Sequence, residues 1–107
     1  MTWLEPWVPI AALDWPEERK IDYCVAWERQ LLREVGPQHV LRSVPVTLLA
    51  RRFDTDDALF KLPDGRVAEV HLTWARGEEP DPEWPAARVF GSLDEWKATS
   101  MQEQHDN

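Results

Sequence analysis

The sequence predicts an α+β domain: an N-terminal helix packed on a three-stranded antiparallel meander, then a long acidic Pro-rich loop and a C-terminal helix. Three observations carry this. Residues 56–74, DDALFKLPDGRVAEVHLTW, read as one β-hairpin; residues 15–35 carry an apolar stripe at helical spacing; and Val44 to Phe53 reads as a strand leading into the hairpin. A meander has an apolar face that needs cover, and the helix supplies it.

The hairpin is the most explicit element. Pro63 presets the first turn position, Asp64 tolerates the second, and Gly65 takes the left-handed conformation that closes the turn. Loops of this length make a type I turn with a Gly bulge. The register then sets Leu62 against Arg66, Phe60 against Ala68 and Ala58 against Val70. Side chains alternate across a strand, so Ala68, Val70, Leu72 and Trp74 share one face, and Val67, Glu69, His71 and Thr73 share the other. The helix is expected on the first face.

Taken in order, residues 1–13 are apolar but broken by Pro6 and Pro9, which disfavour a helix; an extended arm laid on the domain is expected. Asp14-Trp15-Pro16-Glu17 reads as a helix start with a capping box. Gly36 and Pro37 end that helix. At 100° per residue Ile21, Cys24, Val25, Leu31, Leu32 and Val35 form its buried stripe, with Glu28 in the middle. A carboxylate there has to be paired, protonated, or at an edge where it reaches water. Cys24, on the same face, reads as a small core residue rather than a nucleophile. Pro45 is tolerated near the start of the 44–53 strand. Residues 75–87, ARGEEPDPEWPAA, are the strongest loop signal in the chain; structureless loops of this length tend to be functional or mobile, and a solvated connector that spans the sheet is the alternative. Ser92-Leu93-Asp94-Glu95 starts a second helix, over about 93–103, and the tail 104–107 is expected to fray.

With 107 residues the chain is long enough for one domain and one core. Seven tryptophans are too many for the centre of so small a domain, so several are expected half-exposed, where an indole buries its body and wets its N–H. The net charge of −8, from 20 acids against 12 bases, argues against direct nucleic-acid binding, which needs a basic stripe. It suits a basic protein partner. A single cysteine forms no internal disulfide and fits a reducing compartment. No basic n-region precedes an apolar run and nothing reaches membrane-spanning length, so a cytoplasmic protein without membrane contact is expected.

Candidate chemistry is sparse. The hairpin register places Asp57 opposite His71, a pair that can orient an imidazole for general-base work, with Glu28 as a more distant candidate. The alternative is a solvated cross-strand charge pair. His39, His71 and His105 lack ligand spacing. Asp54, Asp56 and Asp57 resemble a Ca²⁺ loop only superficially, because Leu59 and Gly65 fall where Gly and Glu are required. No phosphate loop, nucleophile elbow or zinc-protease motif occurs, so neither a cofactor nor a metal is expected.

Four pieces occur in order: Asp56-Asp57-Ala58-Leu59-Phe60, Leu62-Pro63-Asp64-Gly65, Val70-His71-Leu72-Thr73-Trp74 and, after an acidic spacer, Trp84-Pro85. Over roughly residues 44–97 this pattern resembles a family of small bacterial proteins without assigned function. The resemblance supports the fold and implies no activity. The leading expectation is a non-enzymatic, immunity- or antitoxin-like binding protein for a basic partner, using Glu78, Glu79, Asp81, Glu83 and Trp84. Aromatic anchors amid charge are what interface hot spots look like. A small enzyme using Asp57 and His71 is the alternative, and a homodimer built through the 1–13 arm is the third reading.

Overall fold

The computed structural model describes residues 2–107; Met1 of the expected arm lies outside the described residues. Along the chain come β1 (Trp7–Pro9), a 3-10 turn (Ile10–Ala12), α1 (Glu17–Glu34), β2 (Thr47–Arg52), β3 (Asp57–Lys61), β4 (Val67–His71) and β5 (Ala86–Phe90). The chain closes with α2 (Leu93–Trp96), a π-helical turn (Lys97–Met101) and α3 (Gln102–Asp106), which follow one another directly. The fold is α+β. Its sheet is antiparallel with strand order β1-β2-β3-β4-β5, two strands larger than the three expected. The expected meander forms its centre. β1 comes from the expected arm and β5 from the end of the expected loop.

The hairpin pairs in the register its turn dictates: Asp57 opposite His71, Ala58 opposite Val70, Leu59 opposite Glu69 and Phe60 opposite Ala68. Gly65 has φ +90°, and its N–H donates to the Leu62 carbonyl at 3.2 Å. Pleat alternation then divides the core between the two faces of the sheet. On one face α1 covers Ala58, Phe60, Leu62, Ala68, Val70 and Leu72 through Trp27, Leu31 and Val35. On the other, Leu59, Val67 and Phe90 pack with Trp7, Trp96 and Met101. The face expected to be polar is thus covered at its Val67 end by the C-terminal helical segment. Only its His71 end stays open.

The α1 stripe is rotated from the expected one by roughly a quarter of a turn. Trp27, Gln30, Leu31, Glu34 and Val35 are buried, whereas Ile21 is 55 % and Leu32 51 % exposed. The aromatic residues set the rotation: Tyr23 and Trp27 bury more surface than Ile21 and Leu32 would. The helix starts at Glu17 with Pro16 at its N-cap and no side-chain cap, so Asp14 does not play the capping role expected of it. Glu17 and Glu18 in the first turn complement the helix dipole instead.

A bulge in β2 breaks its pairing with β3 between Leu48 and Ala50. Leu49 and Ala50 both pack on the C-terminal side, and Arg51 returns to the α1 side. Glu28 sits beside this strand, where its Oε2 accepts from the Leu48 N–H at 2.9 Å. β1 reaches no further along β2 than the Pro9–Ala50 pair, so Glu28 satisfies a backbone donor that no neighbouring strand takes.

At the C-terminus Ser92 Oγ accepts from the Glu95 N–H at 3.1 Å, as the capping sequence requires. Of the expected tail, residues 104–106 continue the helix. Gln104 accepts from Trp7 Nε1 at 3.0 Å and from Arg52 at 2.9 Å, tying α3 to β1 and β2. The segment is anchored on Glu69, whose Oε1 accepts from Trp96 Nε1 (2.8 Å), Ser100 Oγ (2.6 Å) and Gln104 Nε2 (3.1 Å). Replacing Glu69 by Ala strips three donors of one acceptor. The expected loss is roughly 2–3 kcal/mol in urea unfolding, with faster amide exchange confined first to residues 93–106. A loss below about 0.5 kcal/mol contradicts the anchoring role.

Candidate functional site

Antiparallel pairing brings the exit of β2, the start of β3, the exit of β4 and the start of β5 to one end of the sheet. Asp57, His71 and Ala86 are consecutive partners across that end. The residues singled out as candidates in the sequence, Glu28 excepted, lie at this end or in the loop that bounds it.

The Asp57–His71 pair forms. Asp57 Oδ1 lies 3.0 Å from His71 Nδ1, and Asp57 Oδ2 accepts from Thr55 Oγ1 at 2.8 Å. Thr55 therefore holds the carboxylate, and the carboxylate orients the ring. Among the described residues His71 Nε2 makes no hydrogen bond. The pair borders an open pocket of about 380 Å³ that Glu69, Glu83 and Arg88 also line. Glu28 is not among the pocket residues, since it belongs to the α1 layer beside Leu48. Among the described residues no group of three His, Cys, Asp or Glu side chains is placed to hold a metal ion.

The acidic segment is fixed at three points. The Glu79 N–H donates to the Glu34 carbonyl at 2.9 Å, Arg42 pairs with Glu78 at 2.7 Å, and His39 meets the Pro85 carbonyl at 2.8 Å. His39 Nδ1 accepts from the Leu41 N–H at 3.0 Å, so Nε2 is the nitrogen that donates to Pro85. Gly36 is required for this approach, because a Cβ there would lie 2.8 Å from the Glu79 carbonyl oxygen. Glu78 is thus partly engaged, whereas Glu79, Asp81 and Glu83 make no ion pair among the described residues. Trp84 is 43 % exposed.

Three residues that shape this end were not singled out in the sequence. Glu34 is fully buried, and its carboxylate accepts from Gln30 Nε2 (2.7 Å), the Thr73 N–H (2.8 Å), Thr73 Oγ1 (2.9 Å) and the Trp74 N–H (2.9 Å). Trp74, with φ +60°, is held in a left-handed conformation that ordinary residues avoid. Its ring meets Trp27 edge-on at 4.9 Å and stays 46 % exposed. Arg51 is buried, lies 3.7 Å over the Trp27 ring and donates to Tyr23 Oη and to the Thr55 and Asp57 carbonyls. It thereby fixes the turn that carries Phe53. Arg52 grips Asp54 with two bonds, of 3.0 and 2.7 Å, which hold that carboxyl below the usual carboxylate range. The lowered value means this pair supports the turn at neutral pH and lets go as acid titrates Asp54.

Cys24 lies in a separate apolar groove with Ile10, Ile21, Val25 and Leu48. Burial pushes its thiol up, and the nearby Glu28 and Glu17 carboxylates add to the shift. Compared with protein-family models, with curated proteins and with solved structures, the chain matches none.

Two outcomes follow from this geometry. Glu34→Gln places an amide among four donors and is expected to cost roughly 3 kcal/mol in urea unfolding. It should also move the Trp74 indole resonance in an ¹⁵N spectrum, and an unmoved resonance contradicts the holding role. Cys24 is expected to react with a disulfide reagent at pH 8 at least roughly fivefold more slowly than free cysteine. An equal or faster rate contradicts its character as a packed thiol.

Proposed function

We propose that the protein is a non-enzymatic binding module that covers a basic protein partner, in the manner of an immunity protein or antitoxin. The observation that carries this reading is the pinned 75–85 segment. It presents Glu79, Asp81, Glu83 and a half-exposed Trp84 on backbone fixed by Gly36, His39 and Arg42. A binding loop that is already ordered loses less entropy on association. The net charge of −8 speeds encounter with a cation and suppresses wrong partners.

A second reading keeps the Asp57–His71 pair as a general base, favoured by its place beside the open pocket. That role requires the Nδ1–H tautomer in neutral His71, with Nε2 free. Long-range ¹H–¹⁵N correlation reads the tautomer directly, and finding the proton on Nε2 removes this reading.

The binding reading is tested by affinity capture from host lysate at low and high salt, with the wild type beside a Glu79→Lys/Asp81→Lys/Glu83→Lys variant. The expected result is one stoichiometric basic protein, released by salt and lost from the folded variant. For the isolated pair, the swaps should lower the association rate by about tenfold or more at low salt. Retention of the same partner by the variant contradicts the role of the segment.

A further inference from the structure

Beside the acidic segment, five aromatic rings form a continuous strip along the flank of α1. Trp15 meets Tyr23 at 5.1 Å, Tyr23 meets Phe53 at 6.2 Å and Trp27 at 5.9 Å, and Trp27 meets Trp74 at 4.9 Å. The strip is open at Phe53 and Trp74, each 46 % exposed. Both are rigidly set, Phe53 on the turn that Arg51 and Arg52 brace and Trp74 by the Glu34 carboxylate. A left-handed Trp costs on the order of 1–2 kcal/mol. Such strain is characteristic of binding and switch regions.

The molecule itself displays the ligand chemistry these rings accept. Arg51 stacks over Trp27 at 3.7 Å and stands 5.1 Å from the Phe53 centroid; Arg19 lies 4.0 Å over Trp15. Arg19 is exposed and makes no carboxylate pair among the described residues, so its guanidinium rests on a ring face next to water. Arg19 and Arg51 already lie on ring faces of the strip and Arg52 is paired with Asp54, which leaves three acids beside it unpaired. Asp14 adjoins Trp15, Asp22 adjoins Tyr23 and Asp56 lies in the Phe53 turn; all three are exposed and free of ion pairs among the described residues.

We propose that Phe53 and Trp74 form a docking surface for arginine side chains of the partner, each guanidinium stacking on an exposed ring, with the Asp56 carboxylate in the Phe53 turn to pair the one that docks there. The inference rests on the basic-partner reading and adds a second contact surface, with a preference for arginine over lysine. A planar, weakly hydrated guanidinium stacks on rings better than an ammonium does.

The test uses the whole chain and hexa-arginine, with hexalysine as control, followed by ¹⁵N spectra that resolve the indole N–H signals. Hexa-arginine is expected to move the Trp74 indole and the Phe53 amide, with hexalysine binding several-fold more weakly. Phe53→Leu/Trp74→Leu keeps apolar bulk but removes the ring faces, and should weaken hexa-arginine binding about tenfold. If that variant loses its folded spectrum, the wild-type shift pattern and the hexalysine comparison decide alone. Shifts confined to residues 78–84 overturn the arginine surface and leave the acidic-segment reading standing. Equal responses to the two peptides overturn it too, since charge alone then accounts for binding. No shift anywhere overturns both readings.

Discussion

The Glu34 carboxylate is the constraint on which the open end of this protein depends. A carboxyl group wholly removed from water is costly unless hydrogen-bond donors replace its hydration. Four donors do so here, and three of them come from Thr73 and Trp74. The arrangement therefore works in both directions: the turn solvates the carboxylate, and the carboxylate holds the turn in a left-handed bend. The main chain of the same residue accepts the Glu79 N–H, so the last turn of α1 fixes both ends of the 73–79 stretch. Trp74 and the acidic segment are placed by one residue.

The bulge in β2 has a comparable reach. Without it, alternation would send Arg51 toward the C-terminal side, away from Tyr23 and Trp27. With it, a buried guanidinium enters the aromatic layer and braces the β2–β3 turn through backbone carbonyls. The sheet is consequently packed on both faces at one end and left with rings, carboxylates and a histidine at the other. That asymmetry leaves Phe53 and Trp74 exposed at the same end of the sheet, with Trp84 exposed in the acidic segment.

The hairpin was legible in the sequence because Pro63-Asp64-Gly65 admits one turn geometry, and the turn then sets every pair from Leu62–Arg66 to Asp57–His71. The Ser92 cap was legible for the same local reason. β1 and β5 were not: Trp7–Pro9 holds a proline that is tolerated only at an edge, and Ala86–Phe90 follows a proline-rich run without strict alternation. Both strands exist because a neighbour is there to pair with them. The sequence placed Glu28 in the middle of the stripe, to be partnered or to reach water at an edge, because aliphatic residues alone centred the stripe there. Giving Tyr23 and Trp27 their full area moves the centre toward Glu34, and only the fold supplies the Thr73 and Trp74 donors that make a carboxylate tenable at that position.

The central claim is that residues 73–84 are ordered before any partner arrives. The ¹⁵N relaxation order parameters of the free protein test it most directly. The account predicts values near about 0.85 from Trp74 through Trp84, matching β3 and β4. Values below about 0.6 across Glu78–Trp84 would contradict it, because a segment that mobile is not held by Glu34, Arg42 and His39.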